Sequence, residues 1–160
     1  MLELENIPKE TVNFLLEAED ALNLIGTFIM VFTTGDEATF AYEPMPRDPI
    51  PDLNWKLGGA LKDRLNAAFE FNASIHDGAL VFSRDNNQSI HTAACWSCRL
   101  LPKKNIGTAN HAKVNKGVAW NSCLAMSNQD GVDFVVLYSQ SNFTLFNRGE
   151  AHIIKDERNE

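Results

Sequence analysis

Apolar residues recur along this chain with two different periods, and the alternation of those periods predicts its elements. Val12, Leu15, Leu16 and residues 18–22 return at helical spacing, so 10–22 reads as a helix, with Pro8 suited to its first turn. Residues 24–32 form an unbroken apolar run rich in β-branched and aromatic side chains, the pattern of a buried central strand. Thr34-Gly35-Asp36 turns the chain, and 38–42 reads as a returning strand. Four prolines within 43–52 exclude a helix or an inner strand there and leave a surface loop.

Leu57, Leu61, Leu65 and Phe69 step by four, which predicts a second helix over 55–71, followed by a loop at 72–77. A short apolar strand at 78–82, a turn at Asp85-Asn86-Asn87 and a strand at 89–96 make a hairpin. Residues 99–116 read as a long loop, and long loops in compact domains are often functional. A third helix is predicted over 118–128. Strands at 134–138 and 143–146 close a hairpin across 139–142, and the charged tail 155–160 is expected to fray. This mixed order predicts one α/β domain over 1–160, with its core at about 10–150 and a central mixed β-sheet flanked by helices.

Composition narrows the function classes. A chain of 160 residues with 44% hydrophobic residues fits one globular domain. The run at 24–32 is too short to span a bilayer, and the acidic start Met1-Leu-Glu-Leu-Glu does not read as a secretory signal. Three cysteines without framework spacing favour a reducing cytoplasm. The net charge of −7 argues against nucleic acid or a membrane as a general partner. That charge is uneven. Between Asp85 and Asp130 lie Arg99, Lys103, Lys104, Lys113 and Lys116 and no acid, so the stretch is formally +5, while the nine remaining bases face all 21 acids. It also holds Gly107-Thr108, Asn110, Asn115 and Gly117, whose donors can turn toward phosphate oxygens. It reads either as a solvated lysine loop or as a local anion site.

The stretch most suggestive of chemistry is Ser74-Ile75-His76-Asp77-Gly78-Ala79-Leu80-Val81-Phe82. A carboxylate before a small-residue turn into a strand is placed for a metal or a hydroxyl, and Gly78 and Ala79 would let a ligand approach the backbone. The same Asp-Gly pair is also a common turn. Cys95-Trp96-Ser97-Cys98 has the spacing of a redox dithiol. Such pairs sit at helix N-termini, whereas this one ends a predicted strand. No second paired spacing supports zinc, so the cysteines read as buried structural residues. Trp96 and Trp120 bracket the basic loop, as core residues or as stacking platforms for a base. Walker-type, dinucleotide-glycine and elbow-serine motifs are absent.

Read together, Ile75-His76-Asp77-Gly78-Ala79-Leu80-Val81, Asn86-Asn87, Ala93-Ala94-Cys95 and Leu100-Leu101-Pro102 resemble the diadenylate cyclase (DAC) domain, the nucleotidyltransferase domain of the DNA-integrity-scanning protein and of membrane-bound cyclic di-AMP synthases. The likeness extends over most of 10–150, with the predicted helix 10–22, strand 24–32 and helix 55–71 matching the flanking units and Ser139 standing at the serine of the final hairpin. It implies a DAC-like fold with Asp77 at the catalytic carboxylate position, able to hold Mg²⁺ or Mn²⁺. The nucleotide-binding positions it implies, with the basic loop, are Asp77, Gly78, Ala79, Trp96, Leu101, Gly107, Thr108, Asn110, Lys113, Lys116, Asn121 and Ser139.

The departures are chemical. Active members follow the leucine-proline segment with Gly-Thr-Arg-His-Arg, whose arginines grip triphosphate. One alignment puts that motif on Gly107-Thr108-Ala109-Asn110-His111 and another on Gly117-Val118-Ala119-Trp120-Asn121, and neither restores an arginine. The family's carboxylate pair after the serine is replaced by Gln140 and Ser141. Lysines can hold phosphate as point charges but lack the bidentate geometry that organises a transition state. The resemblance therefore implies the branch that lacks the arginine motif: a sensor of a nucleotide or cyclic dinucleotide, whose readout lies in another effector protein. An active cyclase that joins ATP molecules across a face-to-face homo-oligomer is the alternative. An interaction module on the same scaffold is a third.

Overall fold

Along Phe28–Thr34 (β1) the side chains divide between two buried layers, with Phe28, Met30 and Phe32 in one and Val31 in the other. A strand that is apolar on both faces belongs in the middle of a sheet. The structure, a computed structural model, describes residues 7–102, 116–139 and 142–154, and it places β1 at the centre. The other strands are Tyr42–Pro44 (β2), Ala79–Arg84 (β3), Thr92–Leu100 (β4), Val132–Ser139 (β5), Asn142–Asn147 (β6) and Glu150–Ile154 (β7). They form one seven-stranded sheet in the order β2-β4-β3-β1-β5-β6-β7. Only β1 and β3 run parallel; all other neighbours are antiparallel.

Helices Lys9–Glu17 (α1), Glu19–Asn23 (α2) and Leu61–Phe71 (α3) cover one face. Leu15, Leu22, Leu61 and Leu65 pack there on Phe28, Met30, Leu80 and Phe82. Helix Val118–Met126 (α4) covers the other face, where Cys123, Leu124 and Met126 join Val31, Val81 and Val135. Phe32 is stacked between Phe82 and Phe134, at centroid distances of 4.8 and 4.3 Å. The result is the single α/β domain with a mixed sheet that the sequence pattern predicts. Among the described residues, no helix is long and apolar enough to cross a membrane.

Several elements differ from their predicted spans. The helix expected over 10–22 breaks at Ala18, and the bend keeps Leu15, Ala18 and Leu22 all in the core. The strand expected from 24 begins at Phe28, because Gly26 turns the chain with φ +83°. Of the strand expected over 38–42 only Tyr42 is in a strand; the rest lies in the 3₁₀ turn Glu37–Ala41, which tucks Ala38 and Ala41 inward before the short β2. Pro44 does enter the sheet, at its edge, opposite Cys98.

The helix expected from 55 starts at Leu61. Trp55 and Leu57 are extended instead, with Trp55 O accepting from Ala93 N at 2.9 Å and Leu57 N donating to His91 O at 2.9 Å, and Gly58-Gly59 ends that stretch. The loop at 72–77 contains the 3₁₀ turn Ala73–His76. The strand expected over 89–96 spans Thr92–Leu100, so Cys95-Trp96-Ser97-Cys98 lies within β4 rather than at its end, and Arg99 belongs to the strand rather than to the basic loop. Beyond the final hairpin, β7 adds a strand on β6 that the sequence pattern does not predict.

Candidate functional site

The approach to Asp77 is set by a cap. The Asn72 side-chain oxygen accepts from Ser74 N at 3.0 Å, which starts the 3₁₀ turn Ala73–His76 and delivers Asp77 in extended backbone at the head of β3. Gly78 follows with φ +88°. A methyl group there would lie 2.7 Å from Met45 Cε and 2.8 Å from the Ser97 carbonyl carbon. Glycine is thus needed for both its backbone angle and its packing. Ser97 Oγ donates to the Asp77 carbonyl oxygen, and Met45 N donates to Ser97 O at 3.0 Å. The open backbone face expected at Gly78 and Ala79 is therefore closed: Met45 and β4 fill the space over Gly78, and Ala79 is fully buried.

The Asp77 carboxylate itself faces outward, with 71% of its side chain exposed, and Arg47 Nη2 lies 3.2 Å from Asp77 Oδ2. Arg47 is fixed by two further donations, from Nε to Ser74 O at 3.3 Å and from Nη1 to Pro46 O at 2.9 Å. Sequence reasoning missed this arginine. It comes from the proline-rich loop, whose one available signal was a lone guanidinium between Pro46 and Pro49.

Register brings other expected positions to the same end of the sheet. Ala79 pairs with Ile29 and Cys98, Phe28 with Tyr138, and Ser139 with Asn142. Asp77, Leu101 and Ser139 thus all lie at that end, where Leu101 N donates to Ala41 O at 2.7 Å. Lys116, Asn121 and Trp120 belong to the α4 side. Lys116 Nζ lies 5.4 Å from the Trp120 ring centroid, and Asn121 Nδ2 donates to Lys116 O at 3.0 Å. Lys103, Lys104, Gly107, Thr108, Asn110, His111, Lys113, Asn115, Gln140 and Ser141 lie outside the described residues.

Trp96 sits on the opposite face, 4% exposed, beside Trp55. Its indole N–H donates to Asp52 O at 3.2 Å, so it is a core residue that shows only an edge to a cleft. That cleft, about 170 Å³, lies between Pro51, Trp55, Arg64, Ala67, Phe71 and Trp96. It falls below the roughly 300–1,000 Å³ of small-molecule sites, so it does not house a whole nucleotide.

Among the described residues, those around Asp77 do not by themselves make a metal centre. His76 Nδ1 is engaged with Ala73 O, and the described residues contain no group of three His, Cys, Asp or Glu able to hold a metal. A hard cation needs about six oxygen ligands, and among the described residues Asp77 is not joined by two further His, Cys, Asp or Glu side chains.

A second polar cluster closes the far end of β1. Thr34 Oγ1 donates to both Asp133 oxygens, at 2.9 and 2.7 Å, and His91 Nε2 lies 2.7 Å from Asp133 Oδ2. Arg84 Nε reaches Thr34 Oγ1 at 2.8 Å and Asp133 at 3.3 Å. Burial pushes the Asp133 carboxyl up, but hydrogen bonds from His91 and Thr34 and the Arg84 charge outweigh it, and the net shift is downward. None of its buried side-chain nitrogens or oxygens lacks a hydrogen-bond partner, and the cluster ties together β1, β3, β5 and the chain entering β4.

No protein-family model and no curated protein matches this chain. Solved structures do match in fold. A hypothetical membrane spanning protein from Bacillus cereus superposes with a TM-score of 0.65 at 14% identity, over 96% of this chain and 69% of that one. A double mutant of DacA from Staphylococcus aureus superposes with a TM-score of 0.56 at 14% identity, over 94% of this chain and 89% of that one. The fold is therefore DAC-like.

Proposed function

We propose that this chain is a DAC-fold domain that binds a nucleotide or cyclic dinucleotide and senses it rather than synthesising it. The carrying observation is the Arg47–Asp77 pair at the head of β3. A single exposed carboxylate held by a single arginine suits recognition of a phosphorylated ligand. Phosphate oxygens compete with Asp77 for the guanidinium, and a released Asp77 faces any divalent cation carried in on the phosphates. Joining two nucleotides asks for more. Charge on the α-phosphate and on the departing pyrophosphate must be neutralised together, and removing an arginine clamp from such a reaction costs roughly 10³-fold or more. The Gly-Thr-Arg-His-Arg motif has no counterpart at 107–111 or 117–121. This supports placing the chain in the sensor branch, with its readout in an effector protein.

Calorimetry of the full chain with ATP and Mg²⁺, cyclic di-AMP and related nucleotides tests the reading. Saturable binding that weakens in Arg47→Ala and Asp77→Ala is expected, and silence across the panel overturns it. Labelled ATP with Mn²⁺ separates the alternative. Product formed by the wild type and lost in Asp77→Asn would make the protein a cyclase.

A further inference from the structure

The register of β4 against β3 places two sulfurs side by side. Ala79 pairs with Cys98 and Val81 with Cys95, so two residues of β4, Trp96 and Ser97, stand opposite Leu80 alone. That extra residue is a β-bulge, with Ser97 at φ +54°. In a regular strand, residues three apart point to opposite faces. Here the bulge restores Cys95 and Cys98 to one face, shared with Ala79 and Val81. Their sulfurs are 2.7 Å apart, and each lies 3.7 Å from the Trp96 carbonyl oxygen.

We propose that Cys95 and Cys98 form a dithiol site that closes reversibly to an intrachain disulfide when a peroxide reaches it. The site is independent of the nucleotide reading above. Cys95 is the accessible partner and Cys98 is buried. The Cys98 S–H donates to the Cys95 sulfur, which lowers the Cys95 thiol below its ordinary range and raises that of Cys98. The Cys95 thiolate attacks one peroxide oxygen and the O–O bond breaks. With hydrogen peroxide, this leaves a sulfenic acid on Cys95 and a hydroxide that takes up a proton as water. The Cys98 sulfur then attacks the Cys95 sulfur and displaces the hydroxyl, which departs as water with the Cys98 proton. Two thiols and one peroxide thus give one disulfide and two waters. Cys123, on α4 in the same core layer, is fully buried, with its thiol pushed up by burial, and it does not enter the reaction. The ring so formed contains Ser97, whose hydroxyl holds the Asp77 carbonyl and whose own carbonyl accepts from Met45. Oxidation therefore fixes the seat on which Asp77 rests.

The test treats the full chain with hydrogen peroxide, quenches in acid, alkylates under denaturing conditions and maps the peptides. Alkylatable thiols are expected to fall from three to one, with the peptide holding 95–98 lighter by two hydrogens, and to return to three after dithiothreitol. Under the same treatment Cys123→Ser falls from two to none, while Cys95→Ser keeps both of its thiols. The proposal is overturned if the wild type keeps three thiols while the same peroxide oxidises a small dithiol in a parallel tube without protein, or if the bond found joins Cys123 or two chains. Mapping of the wild type decides the matter even where a variant fails to fold.

Discussion

Ser97 Oγ donates to the backbone carbonyl of Asp77, so the residue that bulges β4 also fixes the entry into β3. Between them sits Gly78, whose α-carbon faces Met45 and the Ser97 backbone. The position of the candidate carboxylate is thus a property of strand packing, and its charge meets Arg47 at the surface.

Gly78→Ala separates packing from charge. The added methyl meets Met45 Cε at 2.7 Å and the Ser97 backbone at 2.8 Å, at a φ that L-residues rarely adopt. A loss of about 2–4 kcal/mol is expected from strain and overpacking together. Urea unfolding measures it.

Asp77→Asn should do the reverse. An exposed ion pair contributes about 0–1 kcal/mol, so its unfolding midpoint should stay near that of the wild type. Under the function proposed above, binding of ATP with Mg²⁺ should fall by roughly 10- to 100-fold, the worth of a charged contact. Calorimetry beside urea unfolding reads both quantities on one preparation.

Asp133 sets an acid limit. Its folded-state carboxyl lies below the ordinary value of 3.8, so it binds protons less readily folded than unfolded. The resulting stabilisation is present above that ordinary value and is lost as pH falls through the lower, folded one. Asp133→Asn should be less stable than wild type at pH 6, and the gap should narrow below about pH 4. Denaturant unfolding from pH 6 down to pH 3 follows it.

Phe32 stands between Phe82 and Phe134 with no exposed surface. Phe32→Ala should cost about 3–5 kcal/mol, as buried aromatic truncations do, and thermal unfolding with intact secondary structure at low temperature is the check.

The periodic core of this protein is legible in its sequence, while its boundaries and its one new charge contact are not. The run at 24–32 correctly marks a central strand, but apolarity alone cannot show that Leu24 stays 81% exposed before Gly26 turns the chain. Leu57 fits the helical step of four by coincidence; Gly58-Gly59 was the visible reason to start the helix later. In β7, only His152 and Ile154 are partly covered while Ala151 and Ile153 stand exposed, so an edge strand of this kind leaves little apolar pattern to read. Asp77 was found because a carboxylate before Gly-Ala is a local signal. Arg47 pairs with it across 30 positions, and only folding supplies that information.

The parallel pairing of β1 with β3 carries a kinetic consequence. The Thr33 hydroxyl reaches the Phe82 carbonyl 49 positions away, so the two innermost strands cannot zip together from a hairpin. The chain must first pay the entropy of closing that loop, with α3 laid down inside it. Topologies dominated by such distant partners fold in roughly milliseconds to seconds rather than microseconds. During that interval the apolar faces of β1 are the surface a nascent chain has to shelter.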